Sequence, residues 1–172
     1  ILAITDKVTT GAPFFVEIEH HQPSQLSIEI QNKIKRETIK ALDALEINNG
    51  AGHSEFKINS AGEIMVIEVG ARMGGDFIGS HLVELSTQYD YLKGVINVSL
   101  NKFEIPILME KGYFSGVYFL SKETEYLLPF FEAQNEFDIE KKILKNELQY
   151  LNNSNKRSGY LIYKNAKKVS LT

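Results

Sequence analysis

Two short β-type runs in the middle of the chain constrain the fold most. Residues 53–58 (HSEFKI) and 64–69 (IMVIEV) are separated by the turn residues 59–62 (NSAG), a pattern that predicts a β-hairpin. A tight turn centred on Ala61-Gly62 would place Glu55 directly opposite Glu68, with β-carbons about 4.5–5.5 Å apart. The same register pairs His53 with Gly70 and Lys57 with Val66. The reverse face is almost wholly apolar and is expected to be core: Ser54, Phe56, Ile58, Met65, Ile67 and Val69.

Opposed carboxylates destabilise a hairpin unless something offsets their repulsion. One possibility is a shared proton with one raised pKa, and another is a divalent cation, because two carboxylates plus substrate phosphates are the usual ligands of Mg²⁺. The plain alternative is a solvated face with Lys57 nearby. Arg72, which follows Glu68 by four residues, favours the cation.

The Gly-rich stretch 70–76 (GARMGGD) leads into a predicted helix. Gly74 and Gly75 allow close backbone approach just before a helix N-terminus, which is a natural anion site. The carboxylate pair, the Arg72 guanidinium and the N-terminus of the predicted helix together resemble a phosphoryl-transfer site. His53 shares a face with Glu55 and is a candidate contact to substrate or metal.

Other polar residues carry weaker hypotheses. Glu17, His20 and His21 cluster after a predicted strand, and a surface role is favoured over a metal site. Asp76 is expected to cap the helix that follows it. Lys7 and its Thr-rich neighbourhood could meet an anionic ligand.

The periodicity predicts an α+β fold: a mostly antiparallel sheet with helices on one side, plus a small β-rich C-terminal unit. The sequence pattern changes near residue 106, so we predict one structural unit over residues 1–105 and a second over residues 106–172. Predicted strands cover 1–5, 14–19, 53–58, 64–69, 116–120 and 158–163, with 139–151 favoured as strand over helix. Three helices are predicted. The first runs from Ser24 or Ser27 to 48–50. The second carries Ile78, Leu82, Val83 and Leu85 and ends at a break at 87–90, and the third runs from Tyr91 to Val98.

Composition excludes several classes of protein. The 172 residues are 43% hydrophobic and 24% charged, which is typical of a globular domain, and the net charge of −3 gives no footprint for nucleic acid. Without cysteine there is no thiol nucleophile and no Cys-ligated zinc. No apolar run approaches the roughly 18 residues of a membrane span. We therefore expect neither nucleic-acid nor membrane partners and a cytoplasmic location. Because Ile1 opens a β-rich run, we also expect a fragment of a longer protein.

The stretch HSEFKINSAGEIMVIEVGARMGGDFIGSHLVELSTQYD resembles the C-terminal half of an ATP-grasp domain, and ILAITDKVTTGAPFFVEIEHHQPSQL is similar to the elements that precede it there. The resemblance covers about residues 1–105. Residues 157–166 (RSGYLIYKNA) look like the small C-terminal subdomain of the same proteins. The nearest branch looks like the L-amino acid ligases.

The resemblance implies residue roles. Glu55 and Glu68 would hold Mg²⁺ or Mn²⁺, and Arg72 would stabilise an acyl-phosphate intermediate. Gly74 and Gly75 would line the acceptor substrate. Gly70 stands where the family often has Asn, so the number of metal ions stays open. The ATP-gripping lysines, the adenine hinge and the flexible lid lie upstream in the family.

We therefore expect an ATP-dependent carboxylate–amine (or thiol) ligase that uses Mg-ATP with small-molecule carboxylate and amine substrates, and an inactive or nearly inactive fragment. One alternative is a bicarbonate-using carboxylase or carbamoyl-phosphate-synthetase-like enzyme. Another is a non-catalytic binding domain built on a decayed ATP-grasp half. Assembly as a homodimer is left open.

Overall fold

A computed structural model describes residues 1–108 and 112–171. The strands are β1 (Asp6–Thr9), β2 (Glu17–Gln22), β3 (His53–Ile58), β4 (Ile64–Gly70), β5 (Phe114–Leu120), β6 (Asp138–Ile143) and β7 (Gly159–Asn165). The helices are α1 (Ile28–Ala44), α2 (Val83–Thr87), α3 (Tyr91–Ser99) and α4 (Leu128–Glu132). A π-helical turn (Ile78–Leu82) leads into α2, and 3₁₀ turns lie at Glu125–Leu127 and Ser154–Lys156.

Five strands form one antiparallel sheet in the order β1-β2-β5-β7-β6. Because β2 pairs with β5, strands from both sides of residue 106 belong to this sheet. No boundary between two sheets therefore falls at the predicted division of the chain.

Alternate residues of β5 point to opposite faces of this sheet, and both faces are covered. Tyr118 and Leu120 pack with Phe131 of α4 on one face. Val117 and Phe119 pack with the π-helical turn on the other. The α+β prediction is confirmed, but helical segments cover both faces of the large sheet and not one, because β5 and β7 are apolar on both sides.

Strands β3 and β4 form a separate two-stranded sheet, as predicted. Glu55 pairs with Glu68 and His53 with Gly70, but Lys57 pairs with Met65 and not with Val66. The loop closes as Asn59–Glu63, where the Asn59 side chain accepts from the backbone N–H groups of Ala61 and Glu63. This loop shifts the register by one residue, and a bulge at Ile67 restores it beside Glu55.

The predicted core face of the hairpin is only half correct. The register turns Met65 towards the Lys57 side, and Val66 instead of Ile67 lies opposite Phe56. Val66 and Ile67 are 49% and 61% exposed. The apolar face is therefore open along β4.

Local signals set most helix boundaries. The Ser27 hydroxyl accepts from the Ile30 N–H and caps α1, which ends at Leu45 rather than at the predicted 48–50. Asp90 caps α3 by accepting from Lys93 N–H. Gln88 adopts a left-handed conformation, with φ of 61°, at the predicted break after α2.

Three strand boundaries differ from prediction. Residues 1–5 precede β1 and lie outside any strand. Phe14 and Phe15 are exposed in the loop that closes through the Thr10 N–H to Val16 carbonyl bond, so β2 starts at Glu17. Of the predicted 139–151 strand, only the part up to Ile143 pairs.

Candidate functional site

The opposed carboxylates of Glu55 and Glu68 each have a cation of their own. Lys7 Nζ lies 2.6 Å from Glu55 Oε1. Arg72 Nη2 lies 2.7 Å from Glu68 Oε1. Lys57, the expected neighbour, instead lies over the Phe15 ring, with Nζ 5.4 Å from the centroid. Two separate ion pairs therefore offset the repulsion between the strands.

Glu55 is ionised in this setting. Burial acts to raise its pKa, but the hydrogen bond and charge of Lys7, together with His53, outweigh burial and hold the pKa below its ordinary value. His53 Nε2 lies 3.1 Å from Glu55 Oε1, so this side chain joins the carboxylate as predicted. A shared proton between the two glutamates is therefore not needed to offset their repulsion.

Gly70 has a structural role beside this pair. A Cβ at this position would lie 3.2 Å from Arg72 Cγ and 3.6 Å from Glu68 Oε1. The absence of a side chain thus makes room for Arg72 to fold back onto Glu68.

The donor set suits a hard divalent cation with few protein ligands. The bonds described above use Oε1 of Glu55 and of Glu68, which leaves Oε2 of each carboxylate for a further partner. In the part of the chain that the structure describes, no group of three or more His, Asp or Glu side chains could hold a metal. Mg²⁺ fits such a site, because one or two carboxylates plus substrate phosphates are its usual ligands.

Gly74 and His53 line a large cavity together with Glu55. A Cβ at Gly74 would approach His53 Nδ1 and Ile78 Cγ2 at 3.0 Å, whereas one at Gly75 would meet nothing within 4 Å. The cavity, about 940 Å³, is bordered by Lys7, His53, Glu55 and Gly74 and by apolar residues of the hairpin, α1 and α3. Of the two glycines predicted to line the acceptor, Gly74 lines this cavity and Gly75 is not among its lining residues.

A second charged cluster lies next to the Gly-rich loop, where the predictions were wrong. Asp76 does not cap a helix: Phe77 precedes the π-helical turn, and the carboxylate accepts from Arg157 Nη1 at 2.8 Å and lies 3.3 Å from His20 Nε2. Asp76 and Phe77 have φ of 49° and 66°, left-handed values that Asp tolerates but that are costly for Phe. The ion pairs to Asp76 therefore hold the loop in a demanding conformation.

His20 is buried and neutral rather than on the surface. Burial lowers its pKa from the ordinary 6.5, although Asp76 acts in the opposite direction. Its Nδ1 is buried with no hydrogen-bond partner among the described residues, which favours the tautomer whose Nε2 proton faces Asp76. Burial also acts to raise the pKa of Asp76, but His20 and Arg157 outweigh it and hold that pKa far below its usual range.

His21 is also fully buried, on the opposite face of β2 from His20. Its Nε2 lies 2.8 Å from Glu19 Oε2 and its Nδ1 2.8 Å from the Tyr163 hydroxyl. Burial raises the pKa of Tyr163. This group lies inside the large sheet and is structural.

Arg157 is the residue that the sequence did not single out. Its side chain is 9% exposed, donates to the backbone carbonyl and Oε2 of Glu17 and to Asp76, and stacks 3.8 Å from the Phe119 ring centroid. It stands in RSGY, inside the segment that carried the C-terminal resemblance. Its position just before a β-type run was a local signal, but that signal does not identify Glu17 and Asp76 as its partners.

Comparison with known proteins agrees with this fold. Residues 1–80 match the sequence model of the ATP-grasp domain. The fold is similar to phosphoribosylglycinamide synthetase from Anaerococcus prevotii, with a TM-score of 0.76, 20% identity and coverage of 96% of this chain and 44% of that one. L-amino acid ligase from Bacillus licheniformis has a TM-score of 0.75 and 24% identity, over 96% of this chain and 43% of that chain.

A third similar structure is the biotin carboxylase domain of the Hydrogenobacter thermophilus 2-oxoglutarate carboxylase, a dimer in complex with MgADP, ADP and bicarbonate. It has a TM-score of 0.62 and 16% identity, over 94% of this chain and 37% of that chain. No curated protein sequence matches this chain. The resemblance to an ATP-grasp domain is confirmed, and the chain spans less than half the length of these enzymes. Within the described residues, no helix is both long and apolar enough to cross a bilayer.

Proposed function

We propose that a protein containing this chain is an ATP-dependent ligase that joins a small-molecule carboxylate to an amine or thiol. The γ-phosphoryl group of ATP passes to a carboxylate oxygen, which gives an acyl phosphate and ADP. The nucleophile then attacks the acyl carbon, and inorganic phosphate leaves. The observation that carries the proposal is the opposed pair Glu55 and Glu68, each paired with a cation on one oxygen only.

The residues divide the work by their chemistry. Glu55 and Glu68 would hold Mg²⁺ or Mn²⁺, which when bound neutralises charge on the nucleotide phosphates. Arg72, whose side chain is 53% exposed, can turn from Glu68 towards the transferred phosphoryl group. His53 and Gly74 would border the acceptor, because they line the cavity together with Glu55, and Gly75 would leave open space next to Gly74.

The nucleotide is proposed to bind between this chain and a second lobe. In support, the fold is shared with part of enzymes whose structures contain ADP or MgADP, and the chain covers only about 40% of their length. We propose that upstream ATP-gripping and lid regions complete the site, so the 172-residue chain alone should not turn over ATP. A homodimer is proposed because the similar 2-oxoglutarate carboxylase domain is a dimer. A cytoplasmic location is proposed for the same ATP-dependent enzyme.

A bicarbonate-using enzyme is the second candidate, because two structures of similar fold contain bicarbonate. Their TM-scores of 0.57 and 0.62 are below the 0.75 of the L-amino acid ligase, which favours the ligase. The decayed binding domain has less support, because Gly70 accommodates the Arg72–Glu68 pair.

The test is ADP release by the longer protein with Mg-ATP. Carboxylate–amine pairs, carboxylate–thiol pairs and bicarbonate should be supplied separately, and release with the carboxylate pairs alone is expected. Glu55→Gln and Glu68→Gln should each lower turnover by at least about a hundredfold. Arg72→Met should lower turnover while Mg-ATP still binds. Lys57→Gln, on the same hairpin but without a carboxylate partner, is the matched control.

Turnover unchanged in both glutamate variants would show that the metal role is wrong. Release with bicarbonate but with no carboxylate pair would favour the second candidate. No release with any acceptor, despite nucleotide binding, would favour the non-catalytic domain.

A further inference from the structure

Lys7 lies between the two sheets and within reach of two carboxylates. Its Nζ is 2.6 Å from Glu55 Oε1 and 3.9 Å from Glu17 Oε1, and its side chain is 24% exposed. Among the ion pairs of the described residues, Lys7–Glu55 is the one that joins the hairpin to the five-stranded sheet. A lysine in this position links the proposed metal ligand to the rest of the chain.

Lys7 and a divalent cation cannot both occupy the same side of Glu55 without cost. A cation bridging Glu55 and Glu68 would lie close to the Lys7 ammonium, and like charges at such separations repel strongly outside bulk water. The ammonium also holds Glu55 Oε1, so a cation that approaches this carboxylate finds only Oε2 free while Lys7 is bound. Entry of the cation therefore favours withdrawal of Lys7.

Glu17 offers a place for the displaced ammonium. Its Oε1 faces Lys7, while its Oε2 accepts from Arg157 Nη2 at 3.2 Å. The two oxygens of Glu17 thus serve two cations, and Lys7 can move closer without displacing Arg157. The long, flexible lysine stem makes a movement of this size inexpensive.

We propose that Lys7 is an exchangeable counter-ion, which neutralises Glu55 before a divalent cation binds and passes to Glu17 when it binds. Lys7 thereby sets the affinity of the carboxylate pair for the cation. The inference rests on the proposed metal role of Glu55 and Glu68. Lys7 acts through Glu55 and is a positioning residue.

Direct titration of the 172-residue chain with Mn²⁺, followed by electron paramagnetic resonance, tests the competition. Lys7→Met should tighten Mn²⁺ binding about fivefold, the scale of one partly exposed ion pair. Lys57→Met is the matched control: it removes one positive charge from the hairpin that carries Glu55 but breaks no carboxylate pair among the described residues, so affinity should stay within about twofold. Lys7→Arg, which keeps the charge, should not tighten binding.

The movement of Lys7 from Glu55 to Glu17 can be measured independently of metal affinity. In a Mg²⁺ titration followed by NMR, the Lys7 side-chain Cε–Hε resonances should shift with the same midpoint as those of Glu55. Glu17→Gln should reduce the Lys7 shift. Lys57 resonances should not move with that midpoint.

The outcomes separate the two hypotheses. If Glu55→Gln weakens Mn²⁺ binding but Lys7→Met does not tighten it, or the Lys7 resonances stay fixed, the counter-ion role is wrong and the metal site stands. If neither the native chain nor Lys7→Met binds Mn²⁺, the metal role and the Lys7 role both fail. If Lys7→Met does not fold, tighter binding by Lys7→Gln supports the proposal and unchanged binding by it overturns the proposal.

Discussion

The hairpin and the five-stranded sheet use the same side chains in opposite ways. On the hairpin, Arg72 is 53% exposed and bonds one carboxylate, Glu68. In the sheet, Arg157 is 9% exposed and bonds Glu17 and Asp76 while stacking on Phe119. The Arg72 guanidinium can therefore exchange its partner, whereas the Arg157 guanidinium is held in place by all of these contacts.

The contrast between an exposed and a buried ion pair distinguishes side chains that can bind a ligand from side chains that stabilise the fold. An exposed ion pair contributes little to stability, so its members can turn to a ligand at small cost. A buried pair is costly to break, because removal of one partner leaves an uncompensated charge. The region that holds the fold and the region proposed to act on phosphate thus meet at Lys7, which touches both.

Substitutions of two glycines should give the largest difference in stability between the hairpin and the five-stranded sheet. At Gly116 of β5 a Cβ would lie 2.4 Å from Tyr163 Cε1 and 2.5 Å from the His20 backbone oxygen, whereas at Gly70 the nearest atom is the flexible Arg72 Cγ at 3.2 Å. Gly116→Ala should cost about 3 kcal/mol of unfolding free energy. Gly70→Ala should cost less than about 0.5 kcal/mol and shift Arg72 away from Glu68.

Urea unfolding measures both glycine variants, and the Arg72 Nε–Hε resonance reports the displaced side chain. Equal losses of stability in the two variants would contradict the contrast between a packed sheet and an open hairpin.

Substitutions of Arg157 and Arg72 should give a smaller difference in stability between the two regions. Arg157→Met removes the guanidinium that Glu17 and Asp76 share, and since these carboxylates are 30% and 34% exposed, solvent moderates the cost to about 2–3 kcal/mol. Arg72→Met, at an exposed pair, should change stability by less than about 0.5 kcal/mol. Denaturant titration of both variants is the measurement. A loss at Arg72 as large as that at Arg157 would show that the hairpin pair is structural.

Local patterns predicted the hairpin site better than the sheet. The β-type runs and the turn residues identify β3 and β4, and Glu55 faces Glu68 as predicted. Yet the predicted turn was one residue out of register, and the bulge at Ile67 cancelled the error. A bulge depends on how both strands pack, and a run of alternating residues does not specify it.

The sheet depends on contacts between distant parts of the chain. His20 and His21 look like surface residues locally, but β5 covers both because it pairs with β2 across 100 or so residues. Arg157 meets Asp76 at a separation of 81 residues. Short-range periodicity carries no information on such pairings, so the burial of these polar side chains could not be predicted.

The pH dependence of stability should come from the sheet, with the smallest effect of the three. Because burial holds the pKa of His20 below 6.5, the unfolded chain binds its proton first, and stability should fall as pH drops below about 6.5. The pKa of Asp76 is lowered from 3.8, so its contribution is present above that pH and is lost as the pH falls further. His20→Gln should flatten the first decline and leave the second, since glutamine can still donate to Asp76. Thermal unfolding between about pH 7.5 and 2.5 is the measurement, with His81→Gln as the control at a more exposed imidazole. If the native chain gained stability on acidification through this window, His20 would have to be charged in the fold, and the cluster would hold one more cation than the geometry indicates.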